Sequence, residues 1–401
     1  MELLAAMVGF TDQAAQGASD SATASSTGAL SEIISQSGFA GLGILNLIMF
    51  VIGGVLIYLA VAKKYEPLLL IPIGFGAILA NLPAALLSSY DDGLIGMIYS
   101  TGIKTEFLPP LIFLGVGVLT DFRPLLGRPI TFLLGAAAQF GIFTAAYGAF
   151  YIFNFSPQEA AAIGIIGGAD GPTSIFLASK MAPELLGPIA VAAYSYMSLV
   201  PIIQPPIIRL LTSKKERAID MPQARPVSRR ALIIFPITVT LVAVLTIPSC
   251  APLIGMLMFG NLLRVSKVTE RLRKTAGGSL IDITTIFLGI SVGATMTAER
   301  FLTEDTISIL VLGAVAFAFS TAGGVLFGKL INVILPANAK INPCIGAAGV
   351  SAVPMSARVV QKVVSDDTDG RVNPLMAAMG PNVAGVIGSA AAAGMFLALL
   401  G

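Results

Sequence analysis

Ten apolar stretches, at 42–62, 67–88, 106–120, 129–153, 187–208, 231–248, 251–263, 281–298, 306–333 and 373–400, decide what this chain can fold into. Most approach the about 20 residues that a helix needs to cross a bilayer. Backbone groups in hydrocarbon must be satisfied within their own segment, so these stretches read as helices of an all-α polytopic membrane protein with about ten transmembrane helices. Composition agrees: 55% of the 401 residues are hydrophobic and 11% are charged, where soluble domains carry roughly 25% charged residues. The 42 glycines and 24 prolines point to close helix packing and to deliberate helix breaks. Histidine is absent, which excludes imidazole metal ligands and leaves proton chemistry to carboxylate, tyrosine or lysine. Cys250 and Cys344 lie in or beside apolar segments and suggest neither a disulfide framework nor a metal set.

Orientation follows from the basic connections. Arg209, Lys214, Lys215, Arg217, Arg225, Arg229 and Arg230 crowd one loop, and Arg264, Lys267, Arg271, Arg273 and Lys274 another. Both are expected on the cytoplasmic side, with Lys63, Lys64, Arg123 and Arg128. Residues 1–40 lack Lys and Arg and the basic start of a secretory signal, and read as a polar lead-in on the non-cytoplasmic side. The remainder divides into N-terminal helices (41–105), a first repeat (106–210), basic loops with a connecting hairpin (211–280) and a second repeat (281–401).

The repeats show as recurring motifs. Ile112-Phe113-Leu114-Gly115 returns as Ile286-Phe287-Leu288-Gly289. Gly164-x-x-Gly167-x-x-x-x-Pro172-x-Ser174 returns as Gly346-x-x-Gly349-x-x-x-x-Pro354-x-Ser356, at nearly the same spacing. The span order sends the two copies through the membrane in opposite directions, so the expectation is two inverted repeats, each with a broken or re-entrant segment (160–178 and 342–356). In transporters of that plan, broken helices meet near the midplane and their exposed ends hold the coupling ion.

Asp170 is the centre of the expected ion site. It is the only formal charge between Glu159 and Lys180, within Gly167-Gly168-Ala169-Asp170-Gly171-Pro172-Thr173-Ser174. An intramembrane carboxylate is costly enough to be functional by default. A hard monovalent cation such as Na⁺ needs oxygen ligands. The first broken segment offers Asp170, Thr173 and Ser174, the second Asn342, Ser351 and Ser356, and the last span Asn382 and Ser389. Without a cation, a buried carboxylate takes up a proton instead, which would let Na⁺ and H⁺ exchange at one site. Tyr196 is a candidate proton relay or a packed aromatic. Arg358 is either a positive-inside anchor or an anion-holding group. These features alone fit an ion-coupled secondary transporter or Na⁺/H⁺ antiporter without chemistry equally well.

Five runs carry a resemblance: GGADGPTSIF (167–176), SYMSLVPIIQPPI (195–207), GNLLRVSKVTERL (260–272), INPCIGAAGVSAVP (341–354) and GPNVAGVIGSA (380–390). Together they make the chain, over about residues 40–401, resemble the beta subunit of the sodium-pumping biotin-dependent decarboxylases. Those act on oxaloacetate, methylmalonyl-CoA, glutaconyl-CoA or malonate. The resemblance implies a membrane subunit that decarboxylates carboxybiotin, consuming a proton, while Na⁺ is exported. Implied partners are a carboxyltransferase alpha subunit, a biotin carrier protein and a small single-span gamma or delta membrane subunit. Self-association is left open, and no nucleic acid is implied. The setting would be a bacterial or archaeal cytoplasmic membrane. The family's essential aspartate maps onto Asp170, its tyrosine onto Tyr196, its polar set in the second broken segment onto Asn342, Gly346, Ser351 and Arg358, and its final-span asparagine onto Asn382. The expected catalytic groups are thus Asp170, Tyr196 and Arg358, with Arg358 holding carboxybiotin. The expected Na⁺ ligands are Asp170, Thr173, Ser174, Asn342, Gly346, Ser351 and Asn382.

Overall fold

The computed structural model describes residues 37–83, 93–222, 224–336 and 339–401, and contains no strand among them. The 1–40 lead-in falls outside this set except at its last residues. Helices α1 (Ile44–Lys63) and α2 (Pro67–Ala80) open the fold. Then α3 (Leu94–Lys104) meets α4 (Leu108–Leu119) at a 65° bend. Helix α5 (Ile130–Tyr151) leads to the short α6 (Pro157–Gly164) and α7 (Gly171–Met181), and α8 (Leu186–Leu211) follows. Helices α9 (Arg229–Thr246) and α10 (Ala251–Ser266) form the connecting hairpin. Helices α11 (Ile281–Ala294), α12 (Glu304–Ile334), α13 (Met355–Asp367) and α14 (Leu375–Leu400) complete the chain.

Among the described residues, eight helices are long and apolar enough to cross a membrane, and the bent α3–α4 pair makes nine. The stretch at 67–88 is shorter as a helix than its hydropathy predicts, because α2 spans 14 residues and stops at Asn81. The Asn81 amide donates to the carbonyls of Ala77 (2.8 Å) and Met296 (2.7 Å), and its oxygen accepts from the Ala298 N–H at 2.9 Å. A hydropathy window averages over such a cap and cannot see it. The 106–120 stretch proves to be one arm of the bent pair, while 231–263 is two helices, as expected.

Glycine sets how closely the helices approach. A methyl group at Gly117 or Gly260 would strike a backbone carbonyl across the α4–α10 contact, and one at Gly293 would strike the Ile73 carbonyl of α2. Without a hydrophobic drive between helices in lipid, such small-residue contacts supply the packing. Helices α8 and α14 are the centre of the bundle, with 67% and 61% of their spanning residues buried, whereas α9 buries 6% and lies on its outside.

Two broken segments enter this centre from opposite ends. Helix α8, 26 residues long, is about 39 Å from end to end. The second segment begins at Asn342, whose amide donates to Arg217 O (2.8 Å) and Ile219 O (3.1 Å) just beyond the C-terminal end of α8. It finishes at Asp367, which pairs with Arg217 at 2.8 Å, at that same end. The first segment starts where the Gln158 amide donates to the Leu400 carbonyl (3.4 Å) at the far end of α14, and it runs out into the start of α8. Each segment therefore dips in and comes back. The order of a long helix, a dipping segment and a long helix occurs in both halves.

Candidate ion-binding site

Local sequence dictates both breaks. Helix α6 is started by a capping box in which Ser156 and Glu159 satisfy each other's backbone N–H. It tightens to a 3₁₀ turn over Ile165–Gly168, and Ala169 then turns left-handed at φ 51°. Positive φ is uncommon for a residue with a Cβ, and here it throws Asp170 into an extended conformation at the N-cap of α7. Pro172 occupies the first turn of α7, where its missing N–H costs nothing. In the second segment, a 3₁₀ run over Pro343–Gly349 ends in extended backbone before α13.

The two breaks are hydrogen-bonded to each other. Ser351 N–H donates to the Gly168 carbonyl at 2.8 Å, and Ser320 of α12 donates to the Gly167 carbonyl at 2.6 Å. Asp170 Oδ1 accepts from the Thr173 N–H (3.2 Å), and Oδ2 accepts from the Ser389 hydroxyl of α14 (2.6 Å). The Ser351 hydroxyl in turn donates to that of Ser389 at 3.1 Å. Asn382 Nδ2 donates to the carbonyls of Ala348 (2.9 Å) and Val350 (2.8 Å), and Gln139 Nε2 donates to that of Gly349 (3.3 Å). One carboxylate is thus held where α5, α7, α14 and the second break converge.

Several oxygens around this junction have no partner. Asn382 Oδ1, Gln139 Oε1 and Tyr194 Oη are all buried without a hydrogen bond. Gln139 Oε1 points toward Gly168, where a Cβ would stand 3.4 Å from it. Tyr194 packs on Gly171, and a Cβ there would lie 2.7 Å from its hydroxyl. Lys180, the cation nearest to Asp170 in sequence, is paired with Glu106 at 2.8 Å. A buried carboxylate without an ion pair, among unpartnered neutral oxygens, is a costly arrangement that a bound cation or proton completes. One acidic oxygen donor among neutral ones suits a hard monovalent ion, and the described residues contain no cluster of three or more acidic, Cys or His side chains for a divalent metal.

Of the residues expected from sequence, Asp170, Thr173, Ser351, Asn382 and Ser389 come together here, whereas the Ser356 hydroxyl donates to Gln204 Oε1 at 3.0 Å. Ser174 is adjacent, but its hydroxyl donates to the Asp170 carbonyl at 2.8 Å, within its own helix turn. Asn342 is remote from the junction: its amide clamps the loop after α8, and its oxygen accepts from the Cys344 N–H at 3.1 Å. Gly346 packs against Gly324 of α12, where either methyl would strike the other residue's carbonyl. Tyr196 donates to the Leu310 carbonyl of α12. Arg358 is exposed on α13. Sequence reasoning missed Gln139, Tyr194 and Ser320. Gln139 carried a usable signal, the one carboxamide side chain inside the 129–153 span.

Two broken segments that meet at a lone buried carboxylate, among eight to nine described helices able to cross a membrane, mark a multi-pass membrane protein. The family model described as the Na⁺-transporting oxaloacetate decarboxylase beta subunit matches residues 45–400. The chain belongs to that family, which makes it the membrane subunit of a decarboxylase sodium pump. It is 56% identical over 376 residues to the methylmalonyl-CoA decarboxylase subunit beta of Veillonella parvula, covering 93% of this chain and 98% of the relative. It is 56% identical to the glutaconyl-CoA decarboxylase subunit beta of Acidaminococcus fermentans (93% and 98%), and 49% identical to the oxaloacetate decarboxylase beta chain of Klebsiella pneumoniae (92% and 98%).

Proposed function

We propose that this subunit decarboxylates carboxybiotin presented by a partner and couples the step to Na⁺ export, with Asp170 as the shared group. As a carboxylate Asp170 holds Na⁺; as a neutral acid it holds the proton that the chemistry consumes, so the two occupants exclude each other. Carboxybiotin cleavage needs one proton. The ureido N–C bond breaks, its electron pair stays on nitrogen, nitrogen takes the proton, and CO₂ leaves. Asp170 and Tyr196 are the groups assigned to deliver it, and Tyr194, against Gly171, is a second hydroxyl next to Asp170. Arg358 receives the incoming carboxylate; it is exposed and makes no ion pair among the described residues, which leaves it available. Neutral Na⁺ ligands are Thr173, Ser351 and Asn382, joined by Gln139 and Ser389. Asn342 and Gly346 then act by holding the second segment in place.

The observation that carries this reading is the 2.6 Å Ser389–Asp170 bond between α14 and the first break, surrounded by unpartnered oxygens. The proposed assembly contains a carboxyltransferase alpha subunit, a biotin carrier protein and a small single-span membrane subunit, in the cytoplasmic membrane of a bacterium or archaeon with the basic end inside. An avidin column tests it. Gently solubilised membranes should yield this chain bound to a biotinylated partner, with Na⁺-dependent decarboxylase activity in the eluate. A chain that flows through alone and still moves Na⁺ in liposomes is a secondary transporter and contradicts the proposal.

A further inference from the structure

Outside the ion site, the seam between α5 and α12 carries two cavities in line. At the basic end of the bundle, a cavity of about 550 Å³ lies between the start of α5, Met221, Pro222, Ala224 and Arg225, and the segment Ala339, Lys340 and Ile341. Arg128, Arg225 and Lys340 line it, and no Asp or Glu does. None of the three makes an ion pair among the described residues. Arg128 donates to the Pro222 carbonyl, yet its other terminal nitrogen is buried without a partner. Burial with no opposite charge pulls this guanidinium below its usual pKa, an arrangement that an anion would relieve.

One helical turn deeper, the same two helices bound a wholly apolar groove of about 570 Å³. Its floor is small, formed by Ala136, Ala137 and Gly323, and its walls include Phe140 and Phe327. Helices α5 and α12 touch at that floor, because a Cβ on Gly323 would stand 3.0 Å from the Ala137 carbonyl. From Ile130 to Phe143 the seam runs about 20 Å along α5, somewhat more than one leaflet of an about 30 Å hydrocarbon core.

We propose that this seam is a binding site for an anionic phospholipid, with its phosphate among Arg128, Arg225 and Lys340 and an acyl chain along the Ala136–Gly323 groove. Basic pockets between transmembrane helices at the cytoplasmic face bind anionic headgroups for this reason. A free phosphate would satisfy the cations and leave the groove unused; a partner helix would fill the groove and leave the cations unused. The site bears on the pump because both helices hold the second break: Gln139 of α5 bonds the Gly349 carbonyl, and Gly324 of α12 abuts Gly346. An occupant wedged between α5 and α12 therefore sets the position of that break relative to Asp170.

The test uses the whole membrane complex, exchanged into vesicles of phosphatidylcholine with one-tenth phosphatidylglycerol, gently re-extracted, and its retained phospholipid quantified by mass spectrometry. Three cations at the surface predict roughly a hundredfold enrichment of phosphatidylglycerol in the tightly bound fraction, with each neutralised cation costing roughly fivefold. Arg128→Gln combined with Lys340→Gln should abolish most of the enrichment, and Arg128→Lys with Lys340→Arg should keep it, which separates charge from misfolding. Ala136→Leu, exposed and directed into the groove, should lower total retained lipid with the cations intact. Absence of enrichment in the wild type, or enrichment unchanged in the double Gln variant, overturns the proposal. So does competition by inorganic phosphate with no effect of Ala136→Leu, or loss of a partner subunit in Ala136→Leu with retained lipid unchanged.

Discussion

Replacing Asn382 with alanine removes one side chain that carries two distinct loads. Its Nδ2 is the donor for the Ala348 and Val350 carbonyls, at 2.9 and 2.8 Å. Both carbonyls lie where the 3₁₀ run of the second break gives way to extended chain, so neither has a following helical turn to supply an N–H. Asn382 is fully buried, and water cannot take over. Each orphaned buried acceptor costs about 1–3 kcal/mol, so Asn382→Ala should destabilise the fold by about 2–6 kcal/mol. The other load is Oδ1, buried and unpartnered. If Oδ1 faces the ion, its loss should raise the Na⁺ concentration for half-maximal decarboxylation roughly tenfold or more. Asn382→Asp keeps an oxygen at Oδ1 and places a second anionic oxygen against the two carbonyls, so it should lose stability comparably. Thermal unfolding of the detergent-solubilised complex measures the first effect and Na⁺ titration of turnover the second. Wild-type stability together with wild-type Na⁺ half-saturation in Asn382→Ala would refute this assignment.

Three further substitutions separate structural from chemical roles. Tyr194→Phe removes a hydroxyl with no partner, so it should leave stability unchanged while altering the Na⁺ dependence of turnover; an unaltered Na⁺ titration would remove Tyr194 from the site. Tyr196→Phe forfeits the bond to Leu310, worth about 1 kcal/mol, so a loss of turnover far beyond any loss of folded protein, with a changed pH profile, would assign Tyr196 to proton delivery, and an unchanged profile would leave it as packing. Arg217→Ala leaves Asp367 with only the longer Arg209 contact at 3.4 Å and frees Thr212 at the basic end of the second break. The Arg217 pair is mostly buried, and with Arg209 remaining its loss should cost somewhat less than the about 3 kcal/mol of a fully stranded charge, seen as a lower unfolding temperature that added salt does not reproduce.

The fold was largely legible because hydrocarbon leaves a chain few options. Long apolar runs became helices, and Gly-Pro-rich runs flanking isolated polar residues became the breaks. Asp170 and Ser351 stand out in sequence as polar groups where the chain interrupts itself, and Asn382 as a carboxamide beside Pro381 within the last span. Gln139 escaped because no Gly-Pro run marks the junction it occupies between the segments Ile130–Ala138 and Phe140–Tyr151, and Tyr194 because its neighbour Tyr196 has equal chemistry and only helix rotation distinguishes them. Asn342 shows the opposite limit. Its partners, Arg217 and Ile219, lie more than a hundred residues earlier in the chain, so sequence could not tell an ion ligand from a clamp. The early stop of α2 has the same origin, since Asn81 is tied to Met296 and Ala298 across the bundle.

The direct test of the account is Na⁺ transport by Asp170→Asn. Asparagine retains the size of the side chain, and its Oδ1 can still accept from the Thr173 N–H while its Nδ2 donates to the Ser389 hydroxyl oxygen, but it can neither balance a sodium ion nor deliver a proton. The complete complex, reconstituted in liposomes with its biotinylated partner, should show decarboxylation-driven uptake of radioactive sodium in the wild type. With Asp170→Asn it should show neither uptake nor Na⁺-stimulated decarboxylation. Sodium uptake at normal turnover in that variant would contradict the central role given to this carboxylate.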